Sequence, residues 1–210
     1  MKKAWIVGLV FVFASFPVIA QSGVYFDIGL GFGKAWTKIS DQDVADAFNN
    51  AGLDLTDVGV NLGVKIGYGP FGNVPFYIVA DLGGIGHRLE GSGFGSMQFN
   101  TYVIGPGIIF YPAPLVQISA DIGFSTVANQ FALTGISLSP AKSEKGFAWD
   151  VSLALDIGKA NHGFLIGVSY FGAKNSLETG ANEDASFAGI FFKYAYRHKI
   201  KKIIANSSLK

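Results

Sequence analysis

Cysteine is absent from the chain, which removes disulfide cross-links, thiolate nucleophiles and cysteine metal sites from consideration. Charge is scarce as well. Asp, Glu, Lys and Arg make up only 15% of 210 residues and cancel to a formal +1, too few for an ordinary soluble surface. With no basic stripe before the last fourteen residues, nothing draws the chain to nucleic acid. Three histidines, His87, His162 and His198, lie far apart in sequence and give no metal-ligand spacing. After the N-terminal segment no run approaches the roughly 18 consecutive apolar residues of a membrane helix. Half of all residues are nonetheless hydrophobic, so the apolar residues are dispersed, as in strands.

Three segments follow from the order of residues. Lys2 and Lys3, the apolar stretch Ala4 to Phe16, and the small residues Val18 and Ala20 form a cleavable export signal over residues 1–20. Residues 21–197 suit one domain. Residues 198–210 are a basic tail, read as an extension that is without structure or touches anionic headgroups.

Within the domain the dominant pattern is alternation. From Val24 to Phe32 the even positions are Val, Phe, Ile, Leu and Phe, and the odd ones Tyr, Asp and Gly. The same pattern recurs at Val58 to Tyr68, Phe76 to Gly83, Met97 to Tyr111, Val116 to Ser125, Phe147 to Ile157, Phe164 to Phe171 and Ser186 to Tyr196. In the fourth segment Phe99, Thr101 and Val103 are assigned to the apolar face, and Gly105-Pro106-Gly107 is read as a bulge that shifts the parity. The third segment fades near His87. Short turns follow segments two, four and six, and longer polar or Gly-rich stretches follow one, three, five and seven. The expected fold is therefore all-β, an eight-stranded antiparallel up-and-down transmembrane β-barrel with both termini at the short-turn, periplasmic end. In the longest loop, Lys38 to Asp57, Ser40 and Asp43 resemble a capping box, and Val44, Ala47, Phe48 and Ala51 share one face of a short helix.

The contrast between the two faces separates lipid from water. The apolar face carries no charge, whereas the other holds Gly, Ala, Ser and Asn, which fit the narrow interior of an eight-stranded barrel. A lumenal polar network is expected from Asp27, Lys65, Asp81, Asp121, Asp150, Asp156 and Lys193, joined near the rims by Arg88 and Arg197, with Asp27 and Lys193 meeting across the closing seam. Trp36 and Trp149 toward the loop end, and Tyr68, Phe76, Tyr111, Tyr194 and Tyr196 toward the turn end, are expected as interfacial girdles.

Over Gly23 to Tyr196 the chain resembles the small eight-stranded outer-membrane proteins of the OmpA, OmpX and OmpW type. Gly189-Ile190-Phe191-Phe192-Lys193-Tyr194 is similar to the terminal signal that barrel-assembly machinery recognises, although this chain continues from His198 to Lys210 beyond the terminal aromatic. Gly105 to Pro112 is similar to a strand-to-turn passage of some members. The resemblance implies a bacterial outer-membrane location, membrane lipids and the assembly machinery as partners, and an extracellular ligand reached through the long loops.

No cofactor, metal or catalytic set is expected. A structural or surface-interaction role, with limited diffusion of small solutes, is the leading reading. The others are a passage for small hydrophobic molecules and a lipid-modifying enzyme. For the enzyme the residues offer little, since His87, the one histidine near the loop end, reads as an exposed loop residue beside Arg88 and Glu90.

Overall fold

The computed structural model describes residues 23–71, 75–93, 95–133, 143–158 and 161–197. The export signal, the basic tail and residues 134–142 lie outside them. Eight long strands form the wall: β1 (Gly23–Ile39), β3 (Leu55–Gly69), β4 (Phe76–Gly91), β5 (Gly95–Ala113), β6 (Val116–Val127), β8 (Ser143–Asp156), β9 (His162–Leu177) and β10 (Asn182–Arg197). Each pairs antiparallel with its neighbour in the chain, and β10 closes on β1 from Tyr25↔Arg197 to Ile39↔Glu183. Two short strands complete the set. β2 (Gln42–Asp43) folds back on β1, and β7 (Gln130–Leu133) continues along β5 beyond the end of β6.

Alternation places the side chains as the sequence indicates on most strands. Leu62, Ile122 and Phe124 point outward and are 59%, 55% and 75% exposed, whereas Tyr25, Phe187 and Phe191 point inward and are buried. Along β8 and the residue that follows it, the outward positions from Phe147 to Ile157 are Phe, Trp, Val, Leu, Leu and Ile without interruption. Ten residues at ~3.3 Å each, tilted by ~40°, give an apolar band about 25 Å tall, the height of a hydrocarbon core crossed by a barrel. Closure leaves no strand edge with unpaired backbone groups inside that band.

β5 departs from the expectation. No bulge occurs at Gly105-Pro106-Gly107, and the register with β4 runs unbroken from Phe76↔Phe110 to Gly91↔Gly95. Phe99 and Thr101 are buried in the lumen, and Tyr102, Ile104, Pro106 and Ile108 face out. Pro106, which has no N–H to donate, falls where the β5–β6 ladder skips from Ile104↔Phe124 to Gly107↔Asp121. Gly107 is needed on the inside, because a Cβ there would meet the Asp121 carboxyl.

The stretches after β4 and β9 are also shorter than expected. Both strands extend past the band, β4 to Gly91 and β9 to Leu177, and the next strands begin at Gly95 and Asn182. The helix in the first loop is present as α1 (Val44–Asn50), capped by Asp43 rather than Ser40: the Asp43 carboxylate accepts from the Asp46 N–H at 3.2 Å. Ser40 and Asp41 instead take the left-handed conformation that reverses the chain after β1. Val44 and Phe48 of α1 then pack on Leu89, Met97 and Phe99, an apolar cluster over the loop end of the lumen.

Candidate functional site

Of the cavities inside the wall, the lumen is the place where polar chemistry collects, and its side chains are arranged in layers. At mid-height, Asp27, Lys65 and Asp81 are direct cross-strand neighbours on β1, β3 and β4. On the far wall Asp121 and Asp150 are paired on β6 and β8. Two carboxylates so placed repel each other unless a cation lies between them. Lys65, 2% exposed, supplies it: its Nζ contacts the Asp121 carboxylate, donates to Ser119 Oγ at 3.2 Å and lies 3.8 Å from Asp150. Lys193 reaches to 4.0 Å from Asp27 across the closing seam, with its ammonium 4.7 Å from the Phe191 ring. The seven residues expected in the lumen all face it. Six join two networks, one of Lys65 with Asp121 and Asp150 and one that runs from Lys193 through Asp27 to Asp156, and Asp81 stands beside Lys65 at the margin of a small cavity shared with Asp150 and Lys193. That cavity, about 20 Å³, has room for a water molecule and little more.

From the mid-layer a chain of hydrogen bonds descends to the turn end. Tyr25 Oη donates to Asp27 at 2.8 Å, and Gln117 Nε2 donates to both Tyr25 Oη (2.9 Å) and Tyr111 Oη (2.7 Å). Tyr111 Oη donates to Asp156 at 3.1 Å, and Asp156 is clamped by Arg197. Tyr111 is therefore an interior residue, buried against Tyr77, and not part of the girdle. It shares the inward parity of Gly107 and Ile109.

Above the mid-layer Ala35, Ile85, Ala148, Phe171 and Phe187 form an apolar layer. Over that layer a second polar tier was not apparent from sequence. Ser125 Oγ donates to Asn175 (2.8 Å), and Asn129 Nδ2 donates to Glu183 (2.6 Å). His87 is not in a loop: it is 1% exposed, with Nδ1 2.8 Å from Thr37 Oγ1 and Nε2 3.0 Å from Asp57 Oδ1. Hydroxyl, imidazole and carboxylate are thus aligned, but Thr37 is equally buried beneath the α1 cluster. The three residues tie β1, β3 and β4 together. Among the described residues no group of three or more His, Asp or Glu has the geometry to hold a metal ion.

Outside, Arg88 faces away from the lumen and pairs with Glu90 at 2.9 Å, both half-exposed. Trp149 stacks on Tyr170 at 5.1 Å, and Trp36 shares its outward side. Toward the turn end Tyr68 and Phe76 flank Phe71, while Tyr194 and Tyr196 gather around His162. Six of the seven girdle residues thus face outward.

No family model matches the chain, and no curated protein matches it. Solved structures do. Ail, the attachment invasion locus protein of Yersinia pestis, crystallised with the heparin analogue sucrose octasulfate, is 15% identical with a TM-score of 0.52, over 81% of this chain and 98% of Ail. Neisserial surface protein A is 15% identical with a TM-score of 0.44, over 81% and 97%. The outer membrane enzyme PagL is 12% identical with a TM-score of 0.46, over 80% and 97%. At such identities the likeness is one of architecture, and the chain has the fold of the small eight-stranded outer-membrane β-barrels.

Proposed function

We propose that the protein is an integral component of a bacterial outer membrane whose work is done at its surface, as a structural element and through contacts made by its loop end. The observation that carries this reading is the filled lumen. Tyrosines and the Arg197–Asp156 pair occupy the turn end, the Lys65 network the middle, an apolar layer lies above it, and α1 covers the loop end. A solute crossing the barrel would have to break several buried ion pairs and two apolar layers. These layers oppose both the diffusion of small solutes and a lumenal route for hydrophobic molecules. The turn end, where β1 begins and β10 finishes, is assigned to the periplasm, which leaves α1 and the strand ends around it for an outside ligand.

Planar-bilayer recording tests this reading. Purified wild type should give no discrete conductance steps, and neutralising Asp121 and Asp150 together should not create a selective channel. Stable openings of uniform size in wild type would replace the surface role with a pore.

A further inference from the structure

The apolar band is not evenly covered on its outside. Along β4 the outward positions run Ala80, Leu82, Gly84, Gly86 and Arg88, so two successive places carry no side chain. Val60 and Leu62 on β3 and Tyr102 on β5 stand at the same level on either side. Between them a groove of about 790 Å³ opens over the two glycines. Most of its wall is apolar, but its outer end is polar, with Arg88, Gln98 and Asn100 in the lining. Asn100 is held in place, since its Oδ1 accepts from Gln98 at 2.9 Å and its Nδ2 donates to the Ala128 carbonyl at 3.1 Å.

A groove at this depth is surrounded by hydrocarbon, so an apolar chain has to fill it. The strands flanking β4 lie about 9.6 Å apart, twice the inter-strand spacing, before their side chains are added. That width is too small for a helix of ~10–12 Å diameter and suits one extended alkyl chain. At the outer end the Arg88 guanidinium has five N–H donors in a planar fork that matches phosphate. Its ion pair with Glu90 is solvent-exposed, and such pairs yield readily to a better anion.

We propose that this groove is a lipid site, holding one acyl chain of a phosphorylated outer-leaflet glycolipid over Gly84 and Gly86 with a lipid phosphate at Arg88. The assignment to the outer leaflet rests on the proposed function, which sets the loop end outside.

Native mass spectrometry of the full-length mature barrel in detergent tests it, with diphosphorylated lipid A as the probe and phosphatidylglycerol and phosphatidylcholine as separate arms. Three variants dissect the site. Gly86→Val fills the groove at a position where an added Cβ meets only Asn100 Oδ1, at 3.4 Å. Arg88→Gln removes the phosphate contact, and Glu90→Gln removes its competitor. Wild type should retain lipid A in preference to both phospholipids. Gly86→Val and Arg88→Gln should each weaken retention roughly tenfold, in line with loss of a charge-assisted contact or of the chain's seat, and Glu90→Gln should strengthen it. Unchanged retention in Gly86→Val, or equal retention of lipid A and phosphatidylglycerol, would overturn the proposal. So would loss of a dimer on filling the groove, which would make a second barrel the occupant. Heat-modifiable gel migration, recorded for every variant, separates the two levels: a folded barrel without lipid preference defeats this site alone, whereas a wild type that fails to migrate as a barrel defeats the membrane reading beneath it.

Discussion

Asp121 and Asp150 face each other directly across the β6–β8 ladder inside the barrel, and the Lys65 ammonium, sent from the opposite wall, sits against both. Four carboxylates, Asp27, Asp81, Asp121 and Asp150, share two ammonium groups at this level. Removing one cation leaves charges that can neither leave nor pair, a loss of about 3–5 kcal/mol for a buried ion pair broken on one side. Lys65→Met should therefore lower the urea midpoint of folding into lipid vesicles by that equivalent, and adding Asp121→Asn should restore part of it. A Lys65→Met barrel as stable as wild type would mean that the pair contributes nothing.

The seam gives a second expectation. Arg197 clamps Asp156 and lies over the Tyr111 ring at 5.5 Å, closing the turn end where β10 meets β1. Arg197→Ala should raise amide exchange in residues 23–27 and 193–197 while leaving the loop end protected. Uniform protection along both strands would remove the clamp from the explanation of closure.

At the loop end, one row further out than the water-exposed Lys38, Asp184 and Lys174, Glu183 is buried with Asn129 as its partner. Burial pushes its carboxyl above the usual range, and the Asn129 hydrogen bond opposes that shift without cancelling it. The folded state therefore binds the proton more tightly than the unfolded chain. This contribution to stability is complete below the unfolded value of about 4.3 and is lost as pH rises through the folded one. Exchange protection around Asn129 should be stronger in mild acid than at neutral pH, and Glu183→Gln should abolish that dependence. The same slope in the variant would assign it to another group.

A fourth expectation concerns His87. Its imidazole satisfies Thr37 and Asp57 at once; Asp57 keeps Lys34 as a partner, so His87→Ala leaves the buried Thr37 hydroxyl short of one, at about 1–3 kcal/mol. Denaturant titration should show the loss, with exchange rising first at the outer ends of β1, β3 and β4. An undiminished midpoint would argue that water replaces the ring at no cost.

Much of this was legible in the sequence because a strand's two-residue period records which side meets lipid. The faces of β1, β3, β6, β8, β9 and β10, the strand number, the lumenal ionic residues and the approach of Lys193 to Asp27 all follow from parity. Errors arose where parity was abandoned. Treating Gly105-Pro106-Gly107 as a bulge turned Phe99, Thr101 and Val103 outward, and placing Tyr111 in the girdle overlooked that it shares the inward parity of Gly107 and Ile109. Stopping β4 near His87 left His87 in a loop, although it shares the inward parity of Asp81, and put Arg88 inside, although it shares the outward parity of Leu82. Other features are not written in any single segment. Thr37, His87 and Asp57 meet because three registers coincide, and the groove over Gly84 and Gly86 exists only once Leu62 and Tyr102 are set beside it.

The apolar side of each strand is taken to touch hydrocarbon, and single-cysteine labelling tests that directly, because the chain has no cysteine of its own. Leu62→Cys, Ile122→Cys and Leu153→Cys, each folded into lipid vesicles, should resist a membrane-impermeant, charged maleimide, while Asp54→Cys in the first loop reacts at once. Rapid labelling of the three band positions in the folded, reconstituted protein would contradict the membrane-spanning reading.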